Sequence, residues 1–169
     1  MKLITVATHS DGYFPFLMES CKRHNASSHL TILGWQQKWL GFNWRNNLVL
    51  NFLESIPKPD HEVVCFIDAY DVILLKDFET LEETFKNHPH SKHAIIVSIE
   101  QIKSIRAKIG SLYFGKCQGH SINAGCYIGY ASNIKGSYLP YGHLHTKIPQ
   151  QTIKFFWPTI AVLTPQTSI

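Results

Sequence analysis

Val63-Val64-Cys65-Phe66-Ile67-Asp68-Ala69-Tyr70-Asp71-Val72-Ile73-Leu74-Leu75 constrains this chain more than any other segment. An apolar run delivers two carboxylates three positions apart, and the apolar run then resumes. Carboxylates are costly inside a core unless they are paired or bound to a metal. The pattern therefore predicts a buried strand whose carboxyl edge carries a tight acidic turn.

The flanking sequence places that strand in an α/β domain. Leu3 to Thr8 reads as a first short strand, broken by Asp11-Gly12. Phe14, Leu17, Met18 and Cys21 recur at i, i+3, i+4 and i+7, one face of a helix. Leu30 to Leu33 reads as a second strand, and residues 34–44, with three tryptophans and two glycines in no clear period, as a loop. Leu48, Val49, Phe52, Leu53 and Ile56 predict a second helix stopped by Pro57 and Pro59. Glu62 to Ile67 is the central strand. Asp77 is placed to cap a third helix bearing Phe78, Leu81 and Phe85. Ala94 to Ile99 predicts a fourth strand, Ile122 to Ala131 a loop turning into a strand, 150–157 a helix and Ile160 to Leu163 a last strand. Strands alternating with helices predict a mainly parallel sheet. Ligands of such sheets gather outside the carboxyl ends of the strands, which puts Thr8, Asp68 and Asp71 on one edge.

Composition narrows the partners. Apolar residues make up 44% and charged residues 17%, an ordinary globular balance. A chain of 169 residues is long enough for one domain with a real core. The formal charge of +4 is spread without any Lys/Arg run longer than two, which argues against a dedicated nucleic-acid surface and suits a small anionic ligand. The four cysteines form no CxxC pair, so a structural zinc site is not expected. The apolar start is too short for a signal-peptide core and no segment approaches the ~20 apolar residues of a membrane span, so the expected location is cytoplasmic.

On residue chemistry alone, Asp68 and Asp71 can share a hard divalent cation and leave positions open for phosphate oxygens, or they can be solvated aspartates at a strand end. Tyr70 between them can stack on a nucleobase or cover the sheet edge. In Asn123-Ala124-Gly125-Cys126-Tyr127-Ile128-Gly129-Tyr130, the glycines permit a close backbone approach and Asn123 can bond sugar hydroxyls, or the stretch is a bulged strand entry. No phosphate-loop or nucleophile-elbow pattern is present.

Ile4-Thr5-Val6-Ala7-Thr8, the Phe66 to Ile73 run and Ile122 to Tyr130 follow one another in an order that resembles the glycosyltransferase domain of procollagen lysyl hydroxylases and its stand-alone relatives. The resemblance is clearest over residues 1–133 of what reads as a single domain, 1–169. It implies a GT-A type (Rossmann-like) nucleotide-sugar-binding fold, truncated at its carboxyl end. It also implies an Mn2+-dependent transfer of glucose or galactose from a UDP-sugar to hydroxylysine in a collagen-like or other acceptor. Through the resemblance, Asp68 and Asp71 are the metal-binding acids and Tyr70 packs on uracil. Thr8 and Trp39 contact the nucleotide. Arg45 stands where the family usually has a lysine near the UDP. Glu100 matches an acid at a strand end, and Asn123 and Gly125 belong to the sugar-facing loop. Asn123 and Glu100 are the expected catalytic pair.

The chain also departs from the family pattern. Pro149-Gln150-Gln151-Thr152-Ile153 stands where relatives carry an acidic stretch ending in Asp-Gln, and the Cys-Trp-Pro expected after Glu100 is missing. No counterpart is found for the histidine that completes the metal shell in relatives. A second expectation follows, that of a catalytically inactive or truncated GT-A-like binding module.

Overall fold

The computed structural model describes residues 1–99, 116–117, 120–138 and 160–162. The elements run β1 (Lys2–Val6), α1 (Phe14–Arg23), a 3-10 turn (Ser27–His29), β2 (Leu30–Leu33), α2 (Phe42–Glu54), β3 (Val63–Ile67), β4 (Val72–Leu74), α3 (Phe78–Lys86), β5 (Ile96–Ile99), β6 (Lys116–Cys117), β7 (His120–Tyr130), α4 (Ala131–Tyr138) and β8 (Ile160–Val162).

The main sheet has the order β2-β1-β3-β7-β5, with β6 paired to β7. β1 runs parallel to both β2 and β3. β7 runs antiparallel to β3 and to β5, so it is the reversed strand in an otherwise parallel set. This meets the expected α/β, GT-A-type architecture with a mainly parallel sheet. A separate antiparallel pair joins β4 to β8.

β3 is buried at every position because the sheet is covered on both faces, which is why Val63 to Ile67 reads as a continuous apolar run rather than an alternating one. Its alternate residues feed two cores. Cys65 and Ile67 pack with Leu17 of α1 and Leu81 and Phe85 of α3. Val64 and Phe66 pack with Val49 and Leu53 of α2 and Ile134 of α4. Each such large side chain, fully withdrawn from water, contributes roughly 1.5–3 kcal/mol.

Several sequence expectations need correction. α2 starts at Phe42, earlier than the apolar stripe from Leu48 suggests, because its first turns carry Asn43, Arg45 and Asn46, of which Arg45 and Asn46 are buried polar residues that no hydropathy period reveals. Ala131 ends no strand; it opens α4, and β7 already begins at His120. β5 begins at Ile96. Asp77 occupies the N-cap position of α3 but makes no side-chain cap. Its Oδ1 faces His24 Nδ1 at 3.3 Å instead, while Phe78 N–H donates to the His24 carbonyl at 3.1 Å. Glu100 and the expected helix at 150–157 lie outside the described residues. Among the described residues no helix is long and apolar enough to cross a membrane.

Candidate functional site

The turn that joins β3 to β4 holds Asp68, Ala69, Tyr70 and Asp71, and it is pinned on every side. Before it, Thr5 Oγ1 of β1 donates to the Ile67 carbonyl at 2.7 Å, locking the two strand ends together. At its start, Asp68 N–H donates to the Gly125 carbonyl at 2.7 Å. After it, Leu74 N–H donates to Ser20 Oγ of α1 at 3.1 Å. Across it, the Tyr70 hydroxyl accepts from Thr8 N–H at 3.1 Å and donates to the His9 carbonyl at 3.2 Å. Tyr70 thus ties the turn to the chain leaving β1, while its ring faces the cavity. Tyr70 therefore covers the sheet edge and also lines the cavity.

Asn123 and Gly125 sit at a bulge. β5 and β7 pair as Val97↔Tyr127 and then Ser98↔Asn123, so three residues of β7 bow out of the ladder. Ser98 Oγ donates within hydrogen-bond distance of the Asn123 and Cys126 carbonyls and braces the bow at 3.1 and 3.2 Å. Bulges of this kind re-aim backbone toward a site. Here the bow brings Gly125 against Asp68. A Cβ at 125 would lie 2.7 Å from Asp68 Oδ2 and 2.8 Å from Asn123 Oδ1. Gly125 N–H donates to Asn123 Oδ1 at 2.7 Å, so the Asn123 amide is oriented by the same glycine. The bulged-strand reading is correct, and the bulge serves the acidic turn.

Arg45 enters from α2. Its Nη1 donates to Asp68 Oδ1 at 3.1 Å. The guanidinium lies 5.3 Å from the ring centroids of both Phe42 and Phe66, within cation–π range. Phe66 in turn stacks on Tyr127 at 4.9 Å and 11°. The Tyr127 and Tyr138 hydroxyls share a 2.7 Å hydrogen bond beneath it. Arg45 is only 7% exposed, and its Nε is buried with no hydrogen-bond partner among the described residues. Burial pushes the Asp68 carboxyl pKa up, and the Arg45 charge pulls it back down.

Trp39 and Phe42 form the far wall. Gly34 has φ +74° and lacks the Cβ that would strike the Trp44 ring at 2.6 Å and Leu48 at 2.9 Å. That close approach seats the 34–41 loop on α2, and Trp39 then meets Trp44 and Phe42 edge-on at 5.5 and 5.8 Å. The result is a cavity of about 290 Å³ lined by Val6, Trp39, Phe42, Arg45, Asp68, Tyr70 and Asp71.

Five of the sequence-predicted residues, Trp39, Arg45, Asp68, Tyr70 and Asp71, therefore line one cavity. Thr8, Asn123 and Gly125 touch its walls from behind. Phe42 and Phe66 were not anticipated. Phe42 has no sequence signal beyond its place in an aromatic loop, whereas Phe66 looks like any core residue of β3. Two carboxylates facing one cavity suit a hard cation that takes its remaining ligands from phosphate oxygens and water, the usual habit of Mg2+-like ions. Among the described residues no group of three or more His, Cys, Asp or Glu assembles as a self-sufficient metal cage.

A family model described as the PLOD GT domain matches residues 1–141. A multifunctional procollagen lysine hydroxylase and glycosyltransferase of Caenorhabditis elegans is 25% identical over 144 residues, covering 78% of this chain and 19% of that protein. The chain thus spans about a fifth of the length of the curated relative it matches. The crystal structure of a glycosyltransferase involved in the glycosylation of the major capsid of PBCV-1 is 11% identical, with a TM-score of 0.49, covering 92% of this chain and 82% of that chain.

Proposed function

The chain belongs to the PLOD glycosyltransferase-domain family, and from that premise we propose that it transfers a hexose, glucose or galactose, from a UDP-sugar to an acceptor, with Mn2+ at the acidic turn. The observation that carries this reading is the convergence of Asp68 and Asp71 with Arg45, Tyr70 and Trp39 on one cavity at the carboxyl edge of β3. Asp68 and Asp71 would hold the cation. When bound, it neutralises charge that develops as a nucleoside diphosphate leaves. Arg45 presents a fixed positive charge to the same diphosphate. Tyr70 and Trp39 offer aromatic faces for the base. Asn123, oriented by Gly125, offers its amide to sugar hydroxyls. Glu100 is proposed to complete the catalytic pair, and hydroxylysine in a collagen-like chain is the proposed acceptor.

A thermal-shift titration tests the donor reading. UDP with Mn2+ at about 100 times its dissociation constant stabilises by about 2.7 kcal/mol. That corresponds to a rise in Tm of roughly 5–10 °C for a chain of this size. Asp71→Ala is expected to abolish the rise. No rise at millimolar UDP and Mn2+ in the unsubstituted protein would contradict the reading.

A second reading, a binding module without turnover, is favoured by Gln150 and Gln151 standing where the family pattern has acids. Donor hydrolysis separates the two. A transferase leaks sugar to water in the presence of Mn2+, whereas a binding module gives the same thermal shift with no hydrolysis.

A further inference from the structure

We propose that Arg45 competes with the divalent cation for Asp68, so that the cation is captured together with a diphosphate and only poorly by the protein alone. This rests on the cavity being the donor site, and it adds a binding order that the two acids by themselves would not impose.

The geometry supports it in three ways. First, one of the two carboxylate oxygens that Asp68 can offer a cation, Oδ1, already accepts from Arg45 Nη1 at 3.1 Å. Second, the guanidinium is held in place rather than reaching in from solvent. It is 7% exposed, with Phe42 and Phe66 each 5.3 Å away. Such a group cannot retreat into water when a cation arrives. Third, it has unused donor capacity. A guanidinium carries five N–H donors; among the described residues one of them, on Nη1, is committed to Asp68, and Arg45 lines the cavity. An incoming diphosphate would give these donors an anionic acceptor in the same cavity, in the bidentate manner arginine favours.

Charge accounting points the same way. Among the described lining residues the charged groups are two carboxylates and one guanidinium, one net negative charge when all are ionised. A lone divalent cation there must share Asp68 with a fixed positive neighbour and overfills the charge. A cation accompanied by diphosphate does not, because Arg45 turns its donors to the phosphate oxygens and releases Asp68 Oδ1. The coupling between the two ligands thus comes from a side chain that changes partner.

Electron paramagnetic resonance of Mn2+ added to the full chain without nucleotide tests this, with calorimetry of UDP binding at saturating Mn2+ as its counterpart. Arg45→Met keeps an apolar stem against Phe66 and removes the charge. It is expected to bind Mn2+ alone about tenfold more tightly than the unsubstituted protein and to bind UDP at least about tenfold more weakly, within the usual range of coupling between sites. Arg45→Lys keeps the charge and is expected to stay close to the unsubstituted protein for Mn2+ alone. A purely structural arginine would weaken both ligands in the methionine variant and would not be rescued for Mn2+ by lysine.

A second measurement needs no variant. The side-chain nitrogen NMR signals of Arg45 are expected to hold their positions with millimolar Mg2+ alone and to move when UDP is added with it. Signals that move fully with Mg2+ alone overturn the proposal, as does an Arg45→Met variant with no gain for Mn2+. If the unsubstituted protein binds UDP with Mn2+ and that gain is missing, only the competition fails. If no form binds UDP or Mn2+ at all, the donor-site reading fails with it.

Discussion

Replacing Asp68 with alanine is expected to lower stability by about 3 kcal/mol even with no ligand present. The cause is Arg45 rather than the lost carboxylate. Its guanidinium is buried, its Nε has no described partner, and Asp68 is the ion-pair partner of its Nη1. Breaking a buried pair from one side leaves an uncompensated charge, which typically costs 3–5 kcal/mol. The Asp68 side chain is about a third exposed at the cavity (36%), which puts the effect at the lower end of that range. For a chain of this size the change corresponds to a fall in Tm of roughly 6–12 °C. Adding Arg45→Met to Asp68→Ala is expected to restore most of the loss, because an apolar side chain then rests on Phe66 and no charge is stranded. Denaturant melts of the two single variants and the double variant measure this directly. A double variant no more stable than Asp68→Ala would show that the pair does not govern stability there.

Gly125→Ala is expected to weaken cation binding in the presence of UDP by about 10- to 100-fold, the range seen when groups supporting metal ligands are altered. The new methyl would sit 2.7 Å from Asp68 Oδ2 and 2.8 Å from Asn123 Oδ1. Neither neighbour is free to yield. Asp68 is held by its own N–H on the Gly125 carbonyl, and Asn123 is held by the Gly125 N–H. Crowding at a packed position typically costs 1–3 kcal/mol, so the variant is also expected to melt earlier. Mn2+ titration with UDP present checks the binding. Unchanged affinity would mean that Asp68 shifts without loss of function and that the glycine is there only for the bulge.

The two acids are legible in the sequence because an apolar run cannot absorb carboxylates without a reason, and Val63 to Leu75 shows that conflict in one unbroken segment. β1 and β3 are legible for the related reason that strands buried on both faces need short runs of apolar residues, and β2, half-buried at the sheet edge, is legible from its short apolar stretch ended by Gly34. What stays hidden is whatever depends on partners distant along the chain. Arg45 lies on a helical turn with no apolar stripe, and its partner is 23 positions away. Its role as the counter-charge of Asp68 therefore has no local signature; only its nearness to a nucleotide could be expected, and that by resemblance. Gly125 is half legible. A glycine two positions after an asparagine announces a close approach, but the bow in β7 that aims it at Asp68 is a property of the β5–β7 register. The Tyr127–Tyr138 pair under Phe66 is hidden for the same reason, since α4 carries no strong apolar period of its own.

The proposed function turns on Asp68 and Asp71 jointly gripping a divalent cation that a diphosphate also touches. Anomalous diffraction at the manganese edge, from crystals of the full chain grown with UDP and Mn2+, tests this most directly. The expected result is one strong peak in the cavity, between the Asp68 and Asp71 carboxylates and bridged to diphosphate density. Ordered UDP with no manganese peak there, or a peak held by other side chains while the two aspartates point elsewhere, would contradict it.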